Sequence, residues 1–301
     1  MSSRKTRKEY SMAKERPKRE GIMLAYPVEK GRLERLGKHF IIQPKINGER
    51  CIVEWFAGEP VLISSYGNEF KYMDHLKDAI KMLARTYGPV PLDGEIYVHG
   101  WSREQIDSAL RRRVNRSSEV AHLCYHIFDV RSVEKTYVRM TFLNDLRAEG
   151  QYLDGDSPLK SVPTTVVGED VWMNLASKFV QDGYEGAVLR KIDSPWEAKR
   201  TVAMLKFKPT EVDKYEILDV NEAIDKHGSL KGMVGSFTVR SGADEVAFKV
   251  GAGKMPHARR VELWKLRHQI IGHSLDVKHE ATLTSGGVPI CAVAVDLSQE
   301  G

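Results

Sequence analysis

The sequence predicts a mixed α+β protein made of two folded domains, and a change along the chain carries this prediction. Over residues 21–208, short apolar runs of strand character alternate with segments of helical hydrophobic periodicity. After Pro209, short strand-like runs are separated by glycine turns instead. A chain of 301 residues is long enough for one large and one small domain. We therefore expect a basic flexible tail at 1–20, a first domain at 21–210 and a second at 211–301.

The first domain is expected to contain seven strands and three helices. Ser102 followed by Gln105 is a capping-box pattern for the second helix, and Asp170 and Gly183 are placed to cap the third. The predicted strands are Phe40–Pro44, Cys51–Trp55, Val61–Ser64, Leu92–Val98, Ala121–Val130, Gly186–Lys191 and Ala203–Phe207. The predicted helices are Met73–Thr86, Arg103–Arg113 and Val171–Gln181.

The second domain is expected to be a small closed β-barrel. Five strands and one helix in about ninety residues are typical of the oligonucleotide-binding (OB) fold. The predicted boundary lies near Thr210–Lys214. The predicted elements are the strands Glu216–Val220, Met233–Val239, Glu245–Lys249, Leu275–Glu280 and Ile290–Val295, and the helix His257–His268.

The net positive charge lies at the amino terminus. The chain carries +5 overall, and residues 1–20 contain eight Lys/Arg and three Asp/Glu, which leaves the rest balanced at 38 of each sign. This balance excludes a uniformly basic protein and predicts that any nucleic-acid surface consists of segregated patches plus the tail. A solubilising tail with no function of its own is the other interpretation.

Apolar runs and cysteines predict a cytoplasmic protein that does not bind membranes. Every apolar run is too short to span a bilayer, and the amino terminus lacks the pattern of a signal peptide. Cys51, Cys124 and Cys291 are odd in number and lack metal-type spacing. This predicts a reducing compartment, with neither a disulfide framework nor a zinc site.

The segment Lys45-Ile46-Asn47-Gly48-Glu49-Arg50 gives the strongest indication of chemistry. Lysine normally avoids the end of a buried strand, because desolvating its ammonium is costly. Among other cations its pKa falls, and a neutral amine is a nucleophile. Gly48 permits a tight turn near a ligand, and Arg50 can clamp a phosphate or a ribose. The alternative is a plain hairpin turn at Asn47-Gly48 beside two solvated charges.

Four further segments hold residues that such a lysine would need. The segments are Leu92–Tyr97 with two carboxylates, Tyr125–Val130 with Phe128, Tyr184–Lys191 with Glu185, and Ala203–Pro209 with Lys206 and Lys208 on one face of a strand. Each also has an ordinary structural interpretation, which is, in the same order, a turn, a core aromatic residue, a helix exit and a solvated edge strand.

In this order and spacing the segments resemble the motifs of the covalent nucleotidyltransferases, which include ATP-dependent DNA ligases, RNA ligases and mRNA capping enzymes. The family pattern K-x-D-G-x-R, D-G-E, F-D, E-G and K-x-K is matched between about Ile41 and Pro209. Beyond it, Lys231–Ser236 and Gly272–Lys278 resemble the appended barrel of ATP-dependent DNA ligases. The resemblance implies a nucleotidyltransferase domain of the ATP-grasp-like ligase type, with antiparallel sheets, and a C-terminal OB-fold β-barrel.

The resemblance implies catalytic roles for three lysines, each of which also contacts the nucleotide. Lys45 would attack the α-phosphate of ATP, releasing pyrophosphate and leaving a phosphoramide-linked AMP. Lys206 and Lys208 would contact the α-phosphate in the transition state and help to keep Lys45 neutral.

The resemblance also implies contacts to the nucleoside and to a metal ion. Arg50 and Glu95 would hold the ribose or position neighbouring polar groups, and Phe128 would stack on adenine. Glu185, together with Glu95, would bind Mg²⁺, with Mn²⁺ as the other candidate ion, and so offset charge on the reacting phosphate.

The implied protein is a compact monomeric enzyme of bacterial or phage type that seals 5′-phosphate/3′-hydroxyl nicks in double-stranded DNA. An RNA ligase of the same superfamily and a non-catalytic nucleic-acid-binding relative remain as alternatives. A nicotinamide-dependent ligase is not expected, because such chains are much longer and carry a zinc site. The barrel lacks a clear R-x-D-K motif, which argues against a capping enzyme.

Two positions depart from the family pattern. Asn47 stands where Asp is usual, so any role that depends on that negative charge is in doubt. Ser65, in Ser64-Ser65-Tyr66-Gly67, stands where related sequences tend to carry Arg. The missing guanidinium would weaken binding of the nick phosphate unless Arg111–Arg113 or Arg116 supply it; a solvated charged face is the alternative for those arginines.

Overall fold

The chain divides into two compact units in a computed structural model, which describes Arg19 and residues 21–111, 118–240, 246–280 and 288–298. The division falls between Phe207 and Lys208. Most of the predicted tail and the side chains of Arg111–Arg113 and Arg116 lie outside the described residues. None of the helices within these ranges is long and apolar enough to cross a membrane.

The first unit contains two five-stranded sheets and the helices that cover them. The first sheet has the strand order β1-β10-β9-β2-β8, and the second has the order β4-β3-β5-β6-β7. In chain order the elements are β1 (Leu24–Pro27), α1 (Lys30–Leu33), β2 (His39–Lys45), β3 (Glu49–Phe56), β4 (Glu59–Ser64), α2 (Asp74–Tyr87), β5 (Leu92–Tyr97), α3 (Arg103–Arg111), β6 (Cys124–Val130), α4 (Thr136–Ala148), β7 (Leu159–Ser161), β8 (Thr165–Gly168), α5 (Trp172–Gln181), β9 (Gly186–Arg190) and β10 (Arg200–Phe207), with short 3-10 helices at Glu34–Leu36 and Ser118–His122.

The mixed α+β class is confirmed, and most strand pairs of the first unit are antiparallel as expected, but two pairs are parallel. β1 pairs with β10 in parallel, and β7 pairs with β6 in parallel, each at an edge of its sheet. Both edge strands are short and were not predicted from the sequence, since neither Leu24–Pro27 nor Leu159–Ser161 has a distinct alternating pattern.

Most predicted elements of the first unit agree with the structure to within a few residues, and the differences have local causes. The predicted strand at Ala121 starts instead at Cys124, because Ser118–His122 forms a 3-10 turn. The capping box is confirmed: the Ser102 N–H donates to Gln105 Oε1 (2.8 Å) and the Gln105 N–H to Ser102 Oγ (3.2 Å). Asp170 was the wrong cap for α5, whose N-cap residue is Val171.

The two faces of the first sheet pack against different hydrophobic cores. Phe40 and Ile42 of β2 point to a core that Trp172, Ala176 and Phe179 of α5 complete. Residues on a strand alternate between faces, so the intervening Ile41, Gln43 and Lys45 point the other way. Ile41 accordingly belongs to the larger core formed around the second sheet. The two sheets therefore approach each other on the face that carries Lys45.

A buried charged network ties the two sheets together. Asp129 of β6 is fully buried and accepts hydrogen bonds from Arg139 Nε (2.7 Å) and Arg190 Nη1 (2.6 Å). Arg190 lies on β9 of the first sheet, and its Nε donates to Gln43 Oε1 at 2.7 Å. Gln43 Nε2 in turn donates to the Phe128 carbonyl of β6 at 3.0 Å. A single carboxylate thus links helix α4 and both sheets.

The described residues of the second unit form a ring of five strands with one helix. The strands pair in the order β11-β12-β13-β15-β14, and β14 returns to β11 to close the ring. The predicted boundary at Thr210–Lys214 falls inside this β11–β14 ladder. The elements are β11 (Thr210–Ile224), β12 (Leu230–Arg240), β13 (Ala247–Gly251), α6 (His257–Lys265), β14 (Ser274–Glu280) and β15 (Val293–Leu297).

We expect Asp129→Asn to lower the free energy of unfolding by about 3–5 kcal/mol, because it leaves two buried guanidinium groups without their carboxylate. Denaturant unfolding would measure this. Lys178→Gln, which removes an exposed helix pair with Asp182, is the matched control and should change stability by less than about 0.5 kcal/mol. An Asp129→Asn variant as stable as the control would contradict the structural role of the network.

Candidate active site

Lys45 lies at the last position of β2, where its side chain meets a carboxylate. Its Nζ forms an ion pair with Glu185 Oε2, and the backbones are joined as well, since the Glu185 N–H donates to the Lys45 carbonyl at 2.9 Å. Lys45 is 20% exposed and Glu185 is 11% exposed. The register that pairs Lys45 with Gly186 therefore brings two predicted site residues together from positions 140 residues apart.

The connection after Lys45 crosses between the sheets. β2 belongs to the first sheet and β3 to the second, so the interpretation of Asn47-Gly48 as a β-hairpin turn is wrong. Gly48 donates its N–H to Glu95 Oε2 at 2.9 Å. A Cβ at Gly48 would lie 2.5 Å from the Ile96 carbonyl oxygen, so the close approach to β5 requires glycine. The tight turn was predicted, but its N–H contacts a protein carboxylate.

Glu95 and Glu185 place two carboxylates beside Lys45. Burial raises the pKa of Glu95, although Lys45, Arg50 and the Gly48 N–H oppose the rise, and the negative charge of Glu185 adds to it. Two neighbouring carboxylates suit a divalent cation, because the cation compensates their negative charges. Mg²⁺ sites commonly use one or two carboxylates and are completed by substrate phosphates and water. Among the described residues, the one group of three donors within 4.8 Å lies elsewhere, at Glu211, Asp213 and His279 of the second unit.

Arg50 is held by a residue that was not predicted as its partner. Its Nε and Nη2 donate to the two oxygens of Asp93, each at 2.6 Å. Burial lowers the pKa of Arg50, but the charge and hydrogen bonds of Asp93 outweigh it, so the pKa is raised overall. Trp196 Nε1 also donates to Asp93 Oδ2 at 3.1 Å. Asp93 is therefore committed to orienting Arg50, whereas Glu95 two residues later points to the Lys45 turn.

Phe128 is half-buried and lies among cations. The Arg50 guanidinium carbon is 4.5 Å from the ring centroid, and that of Arg190 is 5.5 Å away. The ring also packs against the main core. Its π-face is thus used partly for cation–π contact, in addition to any stacking on a base.

The two lysines of the predicted K-x-K strand lie on either side of the point where the strand ends. Lys206 is opposite Val188 on β9, and Val188 is opposite Gln43 on β2. Opposite residues share a face, so Lys206 lies on the face of Lys45, with β2 and β10 about 10 Å apart. Lys208 follows the end of β10 and belongs to the second unit, where its Nζ donates to Glu280 Oε1 at 2.8 Å. β10 thus ends one residue before Lys208, and the shared strand face of the two lysines stays a prediction.

The departures from the family pattern are also placed by the structure. The Asn47 side chain is half-buried and makes no hydrogen bond to the part of the chain that is described. Ser65 is 2% exposed, in a turn where Ser64 Oγ accepts the Asn68 N–H at 3.2 Å. A guanidinium reaches this turn from another segment, because Arg19 Nε donates to the Tyr66 hydroxyl at 3.4 Å.

Several residues that shape the site were missed in the sequence. Gln43 lies in the predicted strand Phe40–Pro44, and Arg190 lies in the segment Tyr184–Lys191. Each is two residues from a position on the site face, Lys45 or Val188, so strand periodicity indicated that they point the same way. Asp129 also lies within a quoted motif, but its pairing with Arg139 needs the position of α4. Arg103 contacts the turn after Lys45, but nothing in the sequence indicated this contact, because α3 has the pattern of an ordinary amphipathic helix.

His126 lies beside this region on β6, opposite Glu95. Its ring packs edge-on against Tyr97 at 5.2 Å between centroids. Burial lowers the pKa of His126 from 6.5 to about 4, with the charges of Lys160 and His99 lowering it further and Asp154 opposing them. The imidazole is therefore neutral at pH 7 in the folded protein.

Comparison with known proteins points to one family. Residues 22–208 match the family model described as "ATP dependent DNA ligase domain". A curated DNA ligase from African swine fever virus (isolate Tick/South Africa/Pretoriuskop Pr4/1996) is 24% identical over 275 residues, covering 85% of this chain and 62% of the viral protein. The chain thus spans less than two thirds of the length of the curated relatives that it matches.

Solved structures support the same fold. A protein titled "Pmar-Lig_PreS3" aligns with a TM-score of 0.77 at 19% identity, covering 92% of this chain and 67% of the other. A structure from a study of DNA binding with a minimal scaffold in Lig E DNA ligases aligns with a TM-score of 0.69 at 20% identity, covering 92% and 99%. At these identities the likeness is one of fold.

We expect the free energy of unfolding to fall as the pH is lowered from 7 toward 4. In that range the unfolded chain protonates His126 but the folded protein does not, so protons favour unfolding. Denaturant unfolding at pH 7.5, 6 and 5 should show a smaller loss in His126→Gln than in the natural sequence. Equal losses in both proteins would contradict the assignment.

Proposed function

We propose that this chain, which belongs to the family of ATP-dependent DNA ligases, seals 5′-phosphate/3′-hydroxyl nicks in double-stranded DNA. The observation that carries the proposal is the placement of Lys45. A lysine at a strand end, between two sheets, contacts one carboxylate and faces a second, with another lysine on the same sheet face. A nucleophilic amine needs a base within reach that can accept its proton, and it needs cations that balance the charge of the phosphate it attacks.

In the first step Lys45 Nζ attacks the α-phosphorus of ATP, the bond to the β-phosphate oxygen breaks, and pyrophosphate leaves. The amine must lose a proton before the attack, and the Glu185 carboxylate already contacts the ammonium. The product is AMP joined to Lys45 by a phosphoramide bond. The AMP then passes to the 5′-phosphate of the nick, and the 3′-hydroxyl displaces it to form the phosphodiester.

In this proposal, different residues bind the phosphates and the nucleoside of ATP. Lys206, on the Lys45 face, is positioned to balance charge on the α-phosphate, and we assign the same role to Lys208, which must then exchange Glu280 for the phosphate. Arg50, fixed by Asp93, presents its remaining N–H groups to ribose or phosphate. Phe128 supplies a ring for adenine.

A Mg²⁺ or Mn²⁺ ion bound at Glu185 and Glu95 would offset negative charge on the phosphate and the leaving pyrophosphate. Both side chains are partly buried, and burial of Glu95 beside Glu185 disfavours two uncompensated negative charges. The same contacts keep Glu95 oriented, since its Oε2 also accepts the Gly48 N–H.

We assign the second unit to the OB class. The ring order β11-β12-β13-β15-β14 with α6 between β13 and β14 supports this assignment. A barrel of this class is suited to contact the duplex backbone, and we propose nicked double-stranded DNA as the substrate. All of the proposed site residues come from one chain, so a monomer is sufficient.

We expect the purified protein to become covalently labelled by α-labelled ATP with Mg²⁺ and to seal a 5′-labelled nicked duplex. Lys45→Ala should abolish both activities, because it removes the nucleophile, while far-UV circular dichroism and the unfolding midpoint stay close to those of the natural sequence. Gel electrophoresis of the labelled protein and of the DNA would measure the two activities separately.

Each outcome distinguishes the alternatives. Labelling without sealing of DNA, together with sealing of a nicked or single-stranded RNA, would favour the RNA ligase. Neither labelling nor sealing in the natural sequence would favour a non-catalytic relative. Labelling that persists in Lys45→Ala would show that another residue is the nucleophile.

We expect Lys206→Ala to lower the rate of covalent labelling by about 100-fold, because it removes a cation from the developing phosphate charge. Rapid-quench labelling at saturating ATP would measure the rate. Lys178→Ala, an exposed lysine on α5, is the matched control and should label at the natural rate. A Lys206→Ala rate within a few-fold of this control would remove Lys206 from the site.

A further inference from the structure

Arg103 of α3 contacts the turn that follows Lys45, although it belongs to none of the five motifs. Its Nη1 donates to the Gly48 carbonyl, and its Nη2 forms an ion pair with Glu49 Oε2. Its Nε pairs with Asp107 at 3.1 Å, one turn along the same helix. All three guanidinium nitrogens are therefore used, and the planar group is fixed in one orientation.

The start of α3 holds Arg103 in place. The reciprocal hydrogen bonds between Ser102 and Gln105 satisfy the first N–H groups of the helix and define where it begins. Further along the same helix, Ile106 and Ala109 are buried in the main core and anchor it there. The side chain at 103 thus extends from a fixed helix end, and its reach to the turn does not depend on a flexible loop.

Both backbone polar groups of Gly48 form hydrogen bonds with side chains. Its N–H donates to Glu95 Oε2 (2.9 Å), and its carbonyl accepts from Arg103. Since Gly48 is three residues after Lys45 in the crossing between the sheets, these contacts fix the path of the chain leaving Lys45. They also fix Glu95, whose carboxylate faces Lys45.

We propose that Arg103 is a positioning residue for nucleotidyl transfer: it locks the Lys45–Glu49 turn so that Lys45 and Glu95 keep their reactive geometry. This inference rests on the proposed function. A lysine at 103 keeps the positive charge but cannot form the fork to a carbonyl and a carboxylate together, so shape and charge can be tested apart.

The test compares Arg103→Ala and Arg103→Lys with the natural sequence in single-turnover labelling by α-labelled ATP, over a range of ATP concentrations. We expect the maximal labelling rate to fall about 100-fold in Arg103→Ala, because misplacement of a reacting group by about 1 Å costs that much. The ATP concentration at half-maximal rate should change little, since Arg103 does not contact the nucleotide in the proposal. Arg103→Lys should restore only a small part of the rate.

Two measurements separate positioning from mere support of the fold. Guanidinium ion at millimolar concentration should raise the labelling rate of Arg103→Ala, which a global loss of folded protein would not allow. Arg147→Ala, which removes an exposed arginine paired with Asp154, is the matched control and should keep the natural rate. If Arg103→Ala proves too unstable to assay, the labelling rate of a folded Arg103→Lys is measured instead, and it should be well below the natural rate.

Three results would overturn the inference. One is a natural labelling rate in both Arg103 variants. Another is normal labelling with a defect confined to the sealing of DNA, which would make Arg103 a DNA contact. The last is a rise in the half-maximal ATP concentration with no change in the maximal rate. Failure of the proposed function itself is distinguishable, because the natural sequence would then not be labelled at Lys45.

Discussion

The buried carboxylate of Asp129 is the interaction on which the rest of the first unit depends. Two arginines from separate elements, Arg139 on α4 and Arg190 on β9, donate to it in a region with almost no exposure to solvent. Buried ions of this kind add little net stability, yet removing one partner is costly, so they favour one arrangement over others. Here that arrangement sets the spacing between two sheets and, through Gln43, the position of β2.

The candidate site is a consequence of that spacing. Lys45 ends β2 on one sheet, Arg50 lies at the start of β3 on the other, and a short turn connects them. Two side chains fix this turn. Glu95 accepts a hydrogen bond from the Gly48 N–H, and Arg103 donates one to the Gly48 carbonyl. A short, fixed crossing keeps Lys45 close to the Glu95 carboxylate of the facing sheet, so the proposed reaction needs little reorganisation when substrate binds.

Charge is distributed unequally among the groups of the site. Arg50 is already neutralised by Asp93, whereas Lys45 shares its surroundings with two carboxylates, Glu95 and Glu185. Negative charge is therefore concentrated at Lys45, where the proposal places the metal ion and the transfer of the lysine proton. Positive charge lies to one side, at Arg50 and Arg190 around Phe128. Lys208 is paired with Glu280, so one of the cations assigned to the phosphate is held by the second unit in this conformation.

The fold class and most strands and helices follow from the sequence, because hydrophobic periodicity and glycine turns are local properties of the chain. The five segments proposed to form the site were recognised by their order and spacing. The resemblance to a family pointed to Lys45 and Glu185 as site residues, and the structure places them in contact. Three features needed the folded chain: Asn47-Gly48 crosses between sheets, Asp93 holds Arg50, and β10 ends before Lys208. These facts depend on strand register and on contacts between residues such as Asp129 and Arg190, or Gly48 and Arg103. Such contacts join distant parts of the chain, and no local pattern encodes them.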